Sequence, residues 1–228
     1  MSSGMLGPFE RYATRNVMHI SDSIAPDVFA KIYERIGEDP SGLWHQVLGK
    51  GSTAVATWLK SDKTKVLKIT NDESDAYAME KFLKRPSRHV VKVYDVFQIT
   101  PFAWGMVVQK VTPLASSAYK DWTRTRSLIS KFVGVPPLGN GAVPIYQKDL
   151  EKRFEYPSKS QMEPLEKMRA FLKQLALFDE ALADRGITWF QDLHAGNVGM
   201  NRRDMVLLDL GGVRTSVPSL PKIEVEAA

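Results

Sequence analysis

The sequence predicts an α+β fold in which a small antiparallel sheet with one helix packed on it precedes a reduced, mostly helical part. Three observations predict it. Short apolar segments between residues 44 and 69 are separated by Gly-Lys-Gly and by the polar turn Ser61-Asp62-Lys63-Thr64, the pattern of antiparallel strands. A helix and two more strand signals follow, giving the order strands, helix, strands. Beyond Thr112-Pro113 the composition turns helical and irregular, and its strongest helix carries one continuous apolar stripe.

Each element has a local cause. Pro26 to Ile36 reads as a short helix with Phe29, Ile32, Tyr33 and Ile36 on one face, and the run Gly37 to Gly42 breaks it. Val47-Leu48, Ala54 to Leu59 and Val66 to Ile69 read as strands. Asn71 or Asp72 can cap a helix running to about Leu83, with Ala76, Met79 and Leu83 inward and Pro86 forbidding continuation. Val90 to Ile99 and Trp104 to Gln109 are the next strands, broken at Pro101. Residues 134–144 are rich in proline and glycine. From Pro164 to Asp184, Leu165, Met168, Leu172, Leu175 and Leu182 fall on one stripe, Phe171 and Phe178 widen it, and Gly186 stops it.

Composition removes several classes. With 228 residues the chain supports its own core. It has no cysteine, which excludes disulfides, thiolate metal sites and cysteine nucleophiles, and its four histidines show no metal-ligand spacing. The longest uncharged stretch, Phe132 to Gln147, contains three prolines and three glycines and cannot be a spanning helix. No basic segment followed by an apolar run marks the start, so a cytoplasmic protein without a membrane segment is expected. The net charge of +5 favours acidic partners of any kind. Its basic clusters lack aromatic interleaving, and no nucleic-acid module signature is present.

The residues with chemistry lie in a fixed order. Leu48-Gly49-Lys50-Gly51-Ser52-Thr53-Ala54 sits between two strands, and glycines there let backbone N–H groups approach phosphates; an ordinary glycine hairpin reads the same way. It is not a Walker A loop. Lys68 stands inside the apolar strand Val66-Leu67-Lys68-Ile69, where a buried ammonium needs an anion. Glu80 supplies one if its helix face turns to the sheet, Glu73 is the fallback, and the bland alternative is that Lys68 snorkels from an edge strand. Phe190-Gln191-Asp192-Leu193-His194-Ala195-Gly196-Asn197 places a carboxylate and a carboxamide five residues apart, and Asp209-Leu210-Gly211 begins seventeen residues after Asp192. Phosphoryl transfer uses such groups: a carboxylate to orient the attacking hydroxyl, and an amide with a second carboxylate to hold Mg²⁺.

In this order the chain resembles the protein-kinase-like superfamily, from about Trp44 to Gly212. The resemblance implies a two-lobed fold: an N-terminal extension over residues 1–43, an N-lobe over 44–110 and a reduced C-lobe over 111–228, with MgATP between the lobes. It implies nucleotide-binding roles for Gly49, Lys50, Gly51, Ser52 and Lys68, a positioning role for Glu80, and Asp192 as catalytic base. Asn197 and Asp209 would be the Mg²⁺ ligands. Met106 to Val111 would be the hinge, with backbone groups of Gln109 and Val111 on adenine and Val108 behind it. The short C-terminal part, with nineteen residues after Asp209, is similar to the early serine/threonine kinases of lytic phages of the T-seven group. That likeness implies protein substrates, host proteins among them if the chain is phage-encoded.

Two departures shape the reading. Phe190-Gln191-Asp192 stands where H-R-D is usual, so the arginine that binds an activation-loop phosphate is missing. Asp-Leu-His-Ala-Gly-Asn, with His194 and Gly196, is a form more typical of aminoglycoside and choline kinases. Small-molecule phosphotransfer and nucleotide binding without catalysis therefore stand beside protein serine/threonine phosphorylation. Thr215, Ser216 and Ser219 are candidate sites of inhibitory self-phosphorylation, because phosphate charge there would repel nucleotide.

Overall fold

Why the chain forms an α+β structure is clearest from its units. The computed structural model describes residues 25–37, 47–50, 54–202 and 204–215. They divide into two units: one holds the described residues up to Lys84 with Lys92–Lys110, the other Arg85–Val91 and the described residues from Val111 onward.

The first unit is a five-stranded antiparallel sheet flanked by helices α1 (Ala25–Ile36) and α2 (Glu73–Lys84). Its strands are β1 (Val47–Lys50), β2 (Ala54–Trp58), β3 (Lys65–Thr70), β4 (Val93–Thr100) and β5 (Ala103–Gln109), in the order β1-β2-β3-β5-β4. The β2–β3 turn is held by Asp62, whose Oδ1 accepts from the Thr64 hydroxyl and N–H, and these bonds pull its carboxyl down to about 2. Side chains alternate across β3. Leu67 and Ile69 join Ile32 and Ile36 of α1, Phe97, Ile99 and Val107 in an apolar cluster. Lys68 points to the opposite face, the one that α2 covers.

Two expectations are corrected here. On α1, Ile32 is buried and Ile36 packs beside it, but Tyr33 is 56% exposed and turns away from the sheet; the Phe29 side chain lies outside the described residues. On α2 the inner residues are Ala76, Met79 and Phe82, with Leu83 only half-buried at the helix end. The cap is Asp72, whose Oδ1 accepts from the Ser74 and Asp75 N–H groups at 2.9 and 3.4 Å.

The second unit contains helices α3 (Ser116–Phe132), α4 (Val143–Arg153) and α5 (Lys159–Ala183). Short strands join them: β6 (Thr112–Pro113), β7 (Ile187–Trp189), β8 (Val198–Asn201), β9 (Asp204–Leu207) and β10 (Arg214–Thr215). The stripe of α5 is buried as its spacing predicts. The helix begins earlier than Pro164, however, because the Gln161 side chain accepts from the Ser158 N–H at 2.8 Å and caps an exposed first turn. Pro144 opens α4 at its first turn, so a proline read as a breaker is a helix starter. Val90 and Val91 do not extend β4. Val90 forms a parallel bridge with Leu207, and Arg185 clamps the carbonyls of Arg85 and Pro86 at 2.7 and 2.8 Å, which fixes residues 85–91 in this unit.

Candidate active site

Lys68 sits on the central strand, flanked by Ala56 of β2 and Met106 of β5. At 6% exposure its ammonium needs an anion, and Asp75 of α2 supplies it: Nζ lies 2.6 Å from Oδ2, with the Asp75 side chain 1% exposed. The expectation of Glu80 is thereby corrected. Asp75, Met79 and Phe82 share one helical face, whereas Glu80 lies about 140° round the helix from Asp75 at 3.6 residues per turn. Glu80 instead pairs with Lys84 at 2.6 Å and holds that ammonium above its usual range. Glu73, the fallback, is likewise not the partner. The sequence signal for Asp75 was a carboxylate heading the apolar stripe of a helix that follows a strand lysine.

Around the expected glycine loop, Gly49 and Lys50 belong to β1, opposite Ala56 and Val55. Gly51 and Ser52 lie outside the described residues. Of the hinge residues, Val108 is buried in β5, and the Gln109 N–H donates to the Lys92 carbonyl at 2.8 Å, so that group does not await adenine. Val111 packs against Gly199, where a Cβ would run into it.

The second cluster is built on the turn from Phe190 to Asn197. Phe190, Leu193 and Ala195 are buried and anchor it, while Asp192 and His194 point outward with side chains 64% and 53% exposed. Asn197, 7% exposed, donates from Nδ2 to the Asp192 carbonyl at 2.7 Å and to Asp192 Oδ2 at 3.3 Å. That orientation turns its amide oxygen away from Asp192. His194 Nδ1 accepts from the Gly196 N–H at 3.0 Å, which leaves Nε2 to carry the proton of the neutral ring, 3.9 Å from Asp192 Oδ1. A Cβ on Gly196 would press against the imidazole, so a larger residue there would displace His194 from this seat.

Asp209 is brought to the same turn by strand pairing. Val198 of β8 lies opposite Leu207 of β9, and one step further the Leu208 N–H donates to the Asn197 carbonyl at 2.8 Å. The Asp209 Oδ1 accepts from Gly211 N–H at 2.9 Å, which fixes the carboxylate in its own turn. Asn197 thus bonds to Asp192 through its side chain and, through its carbonyl, to the residue before Asp209, so one hairpin links the three positions. Among the described residues no three His, Asp or Glu side chains cluster as a metal site. A Mg²⁺ held by one carboxylate, one amide oxygen, waters and substrate phosphates requires no such cluster, so the hard oxygen donors present fit that ion.

Of the regulatory candidates, Thr215 ends β10 opposite Ile187, and Ser216 and Ser219 lie outside the described residues. No helix among the described residues is long and apolar enough to cross a membrane.

No family model matches the chain, and no curated protein matches it. Among solved structures, the aminoglycoside phosphotransferase APH(4)-Ia is similar at 12% identity and a TM-score of 0.39, over 83% of this chain and 72% of that one. The GDP and kanamycin complex of APH(2")-IIia matches at 12% identity and 0.33, over 75% and 67%. The streptomycin–ATP complex of APH(2")-IIa matches at 12% identity and 0.32, over 82% and 71%. At these scores the likenesses do not decide the chemistry, which rests on the chain's own residues.

Proposed function

We propose that this chain is a phosphotransferase that moves the γ-phosphoryl group of MgATP to a hydroxyl, with protein serine and threonine as acceptors. The observation that carries the reading is the hairpin that joins Asp192, Asn197 and Asp209, in a chain that also buries an ion-paired lysine in a sheet. In this mechanism Asp192 accepts the proton of the attacking hydroxyl at a carboxylate oxygen, and its exposure lets it meet a hydroxyl carried on a large molecule. Asn197 holds the Asp192 backbone and side chain in place through Nδ2. The amide oxygen of Asn197 and the carboxylate of Asp209 would hold Mg²⁺, which screens phosphate charge when bound. Lys68, oriented by Asp75, would bind nucleotide phosphates.

One observation favours a second reading, a small-molecule acceptor. His194 is seated on Gly196 with its N–H turned toward Asp192, a polar group aimed at the acceptor's place. The test is purified protein with labelled ATP and Mg²⁺, alone and with cell extract. Labelled protein bands that vanish in Asp192→Asn support the first reading, label confined to small molecules supports the second, and no transfer at all contradicts both. Mass spectrometry of the active protein tests self-phosphorylation within residues 215–219, expected in the wild type and absent in Asp192→Asn.

A further inference from the structure

Asp179 lies in the apolar stripe of α5 and is 3% exposed, a place where a carboxylate is costly unless hydrogen-bonded. Its Oδ1 accepts from the Gly139 N–H and, at 3.4 Å, from the Gly141 N–H. Both glycines occupy the left-handed region, with φ of +94° and +70°, and a Cβ on Gly139 would overlap the Ile187 carbonyl of β7. The residue before them, Leu138, exchanges two backbone hydrogen bonds with Phe190, at 3.0 and 2.9 Å. Phe190 is fully buried and stands two residues before Asp192. On its other edge β7 pairs with β10, which follows Asp209-Leu210-Gly211-Gly212.

From this chain of contacts we infer that Asp179 is a positioning residue for Asp192, acting through the glycine loop and Phe190. The buried carboxylate gathers two backbone N–H groups and folds the loop against β7. The folded loop then offers Leu138 as a one-residue strand partner that sets the height of Phe190, and so of the turn that presents Asp192. This role rests on the proposed phosphotransfer, yet its structural half can be read without activity.

The experiment compares wild type with Asp179→Asn by steady-state kinetics and by hydrogen exchange. A displaced base costs turnover steeply, so kcat should fall by roughly 10–100-fold while KM for ATP changes less than about twofold. Amide exchange over residues 187–193 should quicken about tenfold or more, with that of 198–207 unchanged. Leu165→Ala, in the first half of α5, serves as the control for lost stability and should keep kcat. Unchanged kcat in folded Asp179→Asn, or an equal fall in Leu165→Ala, would overturn the inference. Should Asp179→Asn not fold, Gly141→Ala decides: its Cβ meets open space but its φ is strained, so the same effects in smaller measure support the role and wild-type behaviour refutes it. If the wild type transfers no phosphate, the proposed function fails while the exchange comparison still tests the positioning.

Discussion

At the scale of single residues, the substitution that discriminates most is at the partner of Lys68. Asp75→Asn leaves a buried ammonium without its counter-charge, and thermal or urea unfolding should register a loss of about 3–5 kcal/mol. Turnover of the folded protein should fall as it does in Lys68→Met, and the double variant should be no worse than either. Glu80→Gln should leave both quantities near wild type, since its partner Lys84 is exposed. Loss of turnover in Glu80→Gln with Asp75→Asn intact would restore the original expectation. Of the residues singled out from the sequence, Lys68 is buried and ion-paired as its strand setting demands, and Asn197 bonds to Asp192 within the turn that the string 190–197 marks. Asp179 was missed because a carboxylate inside an apolar stripe reads as an interruption until the fold shows what it binds, and Asp75 because its position at the head of a stripe competes with Glu73 and Glu80 on the same helix.

Among the elements, α1 and the segment 85–91 make distinct predictions. Ile32 plugs the sheet face lined by Leu67, Phe97 and Ile99, so Ile32→Ala should cost about 2–5 kcal/mol, whereas Tyr33→Ala should stay within about 0.5 kcal/mol. Burial, aided by the Arg88 charge, lowers the His89 pKa below 6.5 against smaller opposing effects of Asp204 and Glu180. On acidification the unfolded chain therefore takes this proton first, and stability contributed by the neutral ring is lost as pH falls through about 6.5 toward the folded value. Denaturant midpoints should drop from about pH 7 to about pH 5.5, and His89→Gln should flatten that slope; an equal slope in the variant would remove His89 as the cause. Periodicity revealed α5 and the strands, while the start of α5 and the whole of α4 were hidden. Pro144 stands in the first turn of α4, where the ring is tolerated, in a segment whose proline and glycine content masks the helix behind it, while Pro164 lies inside α5 and reads from sequence as its start.

For the whole molecule, the α+β plan was readable because strand alternation in one part and a long apolar stripe in the other call for different packing. Assignment of Arg85–Val91 to the second unit was not readable, since Val90 and Val91 look like the beginning of β4 and are claimed instead by Leu207 through long-range pairing. The other edge of the same strand, paired with β8 in a local hairpin, sets Leu208 beside Asn197 and so places Asp209 one residue further on, and the proposed chemistry depends on that hairpin. Its most direct test is a single-turnover measurement of γ-phosphoryl loss from labelled MgATP, combined with equilibrium nucleotide binding, for wild type, Asp192→Asn and Asp209→Asn. Asp192→Asn should abolish transfer with nucleotide affinity within about threefold of wild type, and Asp209→Asn should lose transfer together with Mg²⁺-dependent binding. Wild-type turnover in Asp192→Asn, or binding by Asp209→Asn that keeps its full Mg²⁺ dependence, would contradict the proposed chemistry.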